Sequence, residues 1–165
     1  MFVMNYPERD GGAMTEQHDR DELVELMSRY ANIPDTQNWD ELPRSVFCEE
    51  FMCDFSSLGV PARTLSRDDW CKRTKALFVH WTATHHAITN HQIAVERDRA
   101  TIRAHVRAEH WVSPETATGG PNCWLVVGFY DDVAVRTDEG WRLSSVKLTV
   151  TYQENEALLT TVLAR

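Results

Sequence analysis

Residues 100–112 constrain the fold more than any other stretch of the chain. From Ala100 to Val112 the sequence alternates with period two. Ile102, Ala104, Val106, Ala108, His110 and Val112 share one face; Thr101, Arg103, His105, Arg107, Glu109 and Trp111 share the other. Side chains alternate across a strand, so the first set predicts a core-facing surface and most of the second a water-facing one. His110 is thereby a polar group on an apolar face, where it must find a hydrogen-bond partner or serve a pocket. The preceding stretch, Thr84 to Val95, also reads as a strand and carries His85, His86 and His91. Glu96–Arg99 joins the two. A hairpin centred near 97–98 sets His85 or His86 opposite His110, with cross-strand Cβ atoms ~5 Å apart. Two histidines facing each other on an apolar face suggest a site.

The rest of the chain supplies the layers around that hairpin. Long strands are predicted over about 84–96, 100–113, 122–136 and 141–152, with Ser113–Pro121 and Thr137–Gly140 as the later separators. A helix is predicted over 19–31, capped by Asp19 or Asp21, with Leu23, Leu26, Met27 and Tyr30 on one face and Pro34 as its stop. A short second helix fits Trp39 to Phe47, and a short strand fits 49–55. Ser66-Arg-Asp-Asp69 resembles a capping box and opens a third helix to about Phe78. The tail from Glu154 to Ala164 reads as helical. Helices first and a long meander after them give an α+β layout, and a strongly curved sheet leaves a pocket between the two layers. Residues 1–18 read as a disordered lead-in and 19–165 as one domain.

Composition narrows the class. A chain of 165 residues, 42% hydrophobic, is large enough to bury a core in one domain. Its net charge of −8 argues against nucleic acid or an anionic membrane as the main partner. No apolar run is long enough to span a bilayer, and the opening stretch lacks the basic-then-apolar layout of a secretory signal. Cys48, Cys53, Cys71 and Cys123 have no CxxC spacing and fall in apolar contexts, so they read as reduced, buried thiols of a cytoplasmic protein.

The candidate chemistry centres on Asp35, His86 and His110. Asp35, after the first helix, is either a turn carboxylate for the next element or a carboxylate at the pocket floor that orients a histidine. Histidine suits proton transfer near neutral pH, its unperturbed pKa being ~6.5, and a carboxylate partner fixes its tautomer. Without a bulge, His85 and His91 share the strand face opposite His86. His105 lies on the Arg103/Arg107 face and is expected to be exposed. Tyr30 belongs to the core by its helix face, with a hydroxyl able to reach the pocket. Trp39, Phe51, Phe55, Trp81, Trp124 and Tyr130 supply the core, and some of them the lining for a flat apolar ligand. Trp111 on the charged strand face calls for a partner, so a homodimer or homotrimer contact is expected there. Two histidines and Asp35 also admit a two-His-one-carboxylate iron site, but no HxH, HxxxH or HxD spacing among them supports it, and the metal-free reading is preferred.

Several segments together resemble the SnoaL-like branch of the NTF2-like superfamily, near the scytalone dehydratases. They are Tyr30–Leu42, Thr84–Asn90 with Gln92–Val95 after it, His105–Trp111 and Asp138–Leu143, within a resemblance covering about 19–153. The resemblance implies a cone-shaped α+β barrel: a curved, mixed but mostly antiparallel sheet wrapped around N-terminal helices, with a deep pocket. It implies enzymes that need no cofactor, among them dehydratases, dehydrochlorinases, isomerases and polyketide cyclases. Asp35 matches the pocket carboxylate of scytalone dehydratases, and His86 and His110 match their two catalytic histidines. The Asp35–His86 pair is also similar to the base pair of the family's dehydrochlorinase. Two tyrosines of the scytalone dehydratases are replaced here by Pro34 and Phe55, which argues against scytalone as substrate and leaves Tyr30 or Tyr130 to supply a hydroxyl. The expected activity is therefore a cofactor-free lyase- or isomerase-type reaction on a small apolar cyclic or polyketide-like molecule. A non-catalytic ligand-binding or assembly subunit and the iron oxygenase are the alternatives.

Overall fold

The computed structural model of the chain describes residues 11–164. Elements run α1 (Gly11–Thr36), α2 (Leu42–Val46), β1 (Phe47–Phe55), a single 3-10 turn, β2 (Val60–Ser66), α3 (Arg67–Phe78), β3 (Ala83–Glu96), β4 (Arg99–Trp111), α4 (Pro114–Ala117), β5 (Cys123–Thr137), β6 (Gly140–Glu154) and α5 (Ala157–Leu163). One six-stranded sheet has the order β2-β1-β6-β5-β4-β3. All neighbours are antiparallel except β1 and β6, which run parallel. This is the α+β, mixed but mostly antiparallel arrangement expected, curved around the helices but not closed. No helix among the described residues is long and apolar enough to cross a membrane.

The alternation of residues 100–112 translates directly into burial. Ala100, Ile102, Ala104, Val106, Ala108 and His110 of β4 are all buried, and the intervening side chains from Thr101 to Arg107 are exposed. Helix α1 presents Leu23, Leu26, Met27, Tyr30 and Ile33 to that concave surface, all of them buried. Burying a side chain of that size contributes roughly 1.5–3 kcal/mol. Two polar ties orient α1: Asp19 accepts from Arg136 at 2.7 Å and from the Trp141 indole at 3.3 Å, and Arg20 donates to the Ile93 carbonyl at 2.7 Å.

Helix α1 departs from expectation at both ends. It begins at Gly11, so Asp19 is an interior tie to the sheet rather than a cap; residues 1–10 of the expected lead-in lie outside the described residues. It also continues through Pro34 to Thr36. Proline in the last turn forfeits one backbone hydrogen bond, and the helix ends two residues later at Thr36, followed by Gln37, whose φ of 54° is left-handed. The second helix is shorter than expected. Strand β2 and the turn α4 were not predicted, the former because Val60–Ser66 is a largely exposed edge with no clear alternation. The capping box behaves as read, with Ser66 accepting from the Asp69 amide at 3.1 Å.

The β3–β4 register differs from the simple hairpin. From Glu96↔Arg99 to Gln92↔Arg103 the pairing is as expected, but a bulge at Asn90–His91 shifts the remainder by one residue. His110 therefore lies opposite Thr84, and His86 opposite Ala108. Asn90 takes the left-handed conformation (φ 55°), which asparagine tolerates better than most residues. The shift lets Thr84, His86 and Ile88 face inward on one side of the bulge and His91, Ile93 and Val95 on the other, while His85 turns to solvent. A second irregularity sits in β5, where a Cβ on Gly128 would lie 2.2 Å from the Thr149 carbonyl oxygen, so only glycine fits beside β6.

Candidate active site

The last turn of α1 delivers Asp35 to the edge strand β3. On an edge strand, alternate backbone N–H groups face away from the sheet, and Asp35 takes one of them: its Oδ2 accepts from the His86 amide at 2.7 Å. Its Oδ1 accepts from the Thr84 hydroxyl at 2.8 Å and faces His86 Nδ1 at 2.7 Å. Burial pushes the Asp35 carboxyl up, but the hydrogen bonds and charge of His86, helped by Thr84, outweigh it and hold the group below its ordinary range. An ionised Asp35 accepts only, so in the uncharged form of His86 the proton sits on Nδ1 and Nε2 is the lone pair. His86 lines the cavity between sheet and helices.

His110 completes the site from β4. Its ring lies 5.1 Å from that of His86, edge to face, and is enclosed by Trp124 at 4.6 Å, Trp81 at 5.3 Å and Phe78 at 5.8 Å between centroids. It is 4% exposed, and its Nδ1 has no protein partner. Burial, reinforced by the charge of His86, pushes it down to about 3. At neutral pH it is an uncharged imidazole, able to donate one hydrogen bond and accept another.

The cavity holds about 210 Å³. Of the aromatic residues expected to line it, Phe55, Trp124 and Tyr130 do so, together with Tyr30. Trp39, Phe51 and Trp81 do not. Trp39 packs on Phe78 and Trp70, Phe51 stacks on Phe47 at 4.3 Å, and Trp81 stacks behind Trp124 at 5.8 Å. Large side chains in the second layer support the lining without reaching the space. Unpredicted lining comes from Trp70, Leu77 and Phe78 of α3 and from Leu159 and Leu163 of α5. Both sets have helical spacing, and that periodicity was the available signal. Thr84, which clamps Asp35, had no signal beyond its inward parity with His86. Among the described residues no group of three His, Cys, Asp or Glu side chains is placed to hold a metal ion.

Comparison with known proteins places this geometry in context. A family model described as a SnoaL-like domain matches residues 15–147. The crystal structure of the Kfla4162 protein from Kribbella flavida is 51% identical, covers 88% of this chain and 99% of its own, and superposes with a TM-score of 0.87. A candidate scytalone dehydratase from Novosphingobium aromaticivorans is 21% identical, with 87% of this chain and 91% of its own covered and a TM-score of 0.72. The hexachlorocyclohexane dehydrochlorinase LinA-type3 from Novosphingobium barchaimii is 16% identical, with 86% and 92% covered and a TM-score of 0.69. The last two are similar in fold alone.

Proposed function

The chain belongs to the SnoaL-like family, and from the geometry of its site we propose that it is a cofactor-independent acid–base enzyme, of lyase or isomerase type, acting on a small apolar cyclic or polyketide-like molecule. The observation that carries the reading is the dyad: His86 Nδ1 bound to a carboxylate at 2.7 Å, with its other nitrogen left free on the ring that lines an apolar cavity. That is a general base with an orienting partner.

In this reading His86 Nε2 takes a proton from carbon next to a carbonyl or a leaving group. Asp35 stabilises the imidazolium that forms. His110 donates an N–H hydrogen bond to the developing oxyanion; as a neutral imidazole it does so without first giving up a proton, as in other enzymes where burial keeps such a group uncharged. The proton held by His86 then goes to the leaving hydroxyl in a dehydration, or to a second carbon in an isomerisation, so one residue both removes and returns it. The dehydrochlorinase and the candidate dehydratase among the similar folds are both named for eliminations, which supports this class of reaction.

A model carbon acid tests this without knowledge of the natural substrate. In D₂O the protein should accelerate deuterium incorporation next to the carbonyl of 1-tetralone, followed by NMR, and His86→Ala should abolish the acceleration. No acceleration by the folded wild-type protein would favour the non-catalytic ligand-binding module.

A further inference from the structure

The cavity's charge balance identifies the kind of molecule it takes. Among the described residues its lining contains no lysine, arginine, aspartate or glutamate; the titratable groups facing it are His86, His110, Tyr30 and Tyr130. Asp35 stands behind His86, and it is negative. The two tyrosines are nearly fully buried, with rings 5.3 Å apart, and burial raises both hydroxyls, so they remain neutral donors. Two residues beyond Tyr130 on the same inward strand face, Asp132 is 2% exposed with one carboxyl oxygen unpartnered. Burial drives that carboxyl far above its ordinary range, although Asp132 stands outside the cavity lining.

An anion entering this space would lose its water and meet no lysine or arginine, and the one imidazole it could pair with through a proton, His86, is already paired with the Asp35 carboxylate. An uncharged molecule would lose little, and its oxygen atoms would find donors in the Tyr130 and Thr74 hydroxyls and the His110 ring. Size adds a second limit. A cavity of about 150 Å³ holds benzene, so about 210 Å³ admits one substituted ring or two fused rings. We propose that the substrate is an uncharged, oxygenated compound of one or two rings, presented free rather than as a carboxylate, a phosphate ester or a coenzyme A thioester. The proposal rests on the cavity being the active site described above. It places upstream a reaction that releases or neutralises the compound before it arrives.

Trp70 and Trp124 line the cavity, so binding is read from tryptophan fluorescence with three probes. 1-Tetralone, neutral and two-ringed, should bind at least tenfold tighter than 1-naphthoate, its planar anionic counterpart, and tenfold tighter than the three-ring ketone anthrone. Thr74→Lys, which sets a cation at the lining from helix α3, should raise the affinity for naphthoate relative to tetralone at least tenfold. Equal or tighter binding of naphthoate by the wild type, equal binding of anthrone, no binding of tetralone, or no gain in a folded T74K protein would each overturn the proposal. Selective binding of tetralone without deuterium exchange would instead leave the substrate class standing and remove the catalytic reading.

Discussion

His110 should impose a measurable pH dependence on stability. In the folded protein its ring is pushed down to about 3 from an ordinary 6.5, because it is enclosed by Trp124, Trp81 and Phe78. The sign follows from proton counting. Between those two values the unfolded chain binds a proton at this position and the folded chain does not, so stability is full above pH ~6.5 and declines as pH falls toward ~3. The slope is about 1.4 kcal/mol per pH unit, or roughly 2–3 kcal/mol between pH 6 and pH 4. His110→Phe keeps an aromatic ring in the box and removes the titrating group. Urea unfolding of both proteins, followed by circular dichroism at several pH values from 4 to 7, gives the difference directly. Contributions shared by the two proteins, such as those of His91 and the carboxylates, cancel. The wild type should lose stability relative to the variant on acidification by about one proton's worth. Parallel curves across pH 4–6 would refute the neutral, buried imidazole and with it the role given to His110 as an uncharged donor.

Two further outcomes follow from the same geometry. Asp35→Asn must point its amide either at the His86 amide, a donor against a donor, or at Nδ1, which moves the imidazole proton to Nε2 and removes the base. The deuterium-exchange rate should fall by about 10²–10⁴, the double variant with His86→Ala should be no worse than the worse single one, and strict additivity would separate the two residues. On the outer sheet face Trp111 is partly exposed and Phe129 packs edge to face on His105, so we propose a homodimer or homotrimer contact there; sedimentation should show an oligomer that Trp111→Asp dissociates, and a wild-type monomer at micromolar concentration would refute it.

What the sequence made legible depended on how many residues carried each signal. Strand β4 was readable because six inward positions repeat the same parity without interruption, and the helical face of α1 because five apolar residues share it. The position of Asp35 was harder. Pro34 is a fair stop signal, yet one forfeited hydrogen bond is small beside the burial of Tyr30 and Ile33 just before it, and the helix runs on to present Asp35 to the edge of β3. The cavity lining was read from aromatic content alone, and size misled there: Trp39, Phe51 and Trp81 are large enough to fill the layer behind the cavity.

The choice between His85 and His86 turned on one residue. Parity counted back from the turn through Ile93 and Val95 puts His85 inward; parity taken from Ile88 puts His86 inward. Two inward apolar positions five apart cannot lie on one face of a regular strand, since faces repeat every second residue. The conflict has a physical resolution, an extra residue between them, and Asn90 is the residue in that interval best suited to a left-handed backbone. The bulge therefore has a sequence signature, a change of phase around an asparagine, and it has a functional consequence. By turning His86 inward, opposite Ala108 and diagonal to His110, the bulge brings the rings together at 5.1 Å edge to face while leaving the His86 amide free for Asp35. The irregularity in the strand is what assembles the dyad, and the apolar residues on either side of it hold it in place.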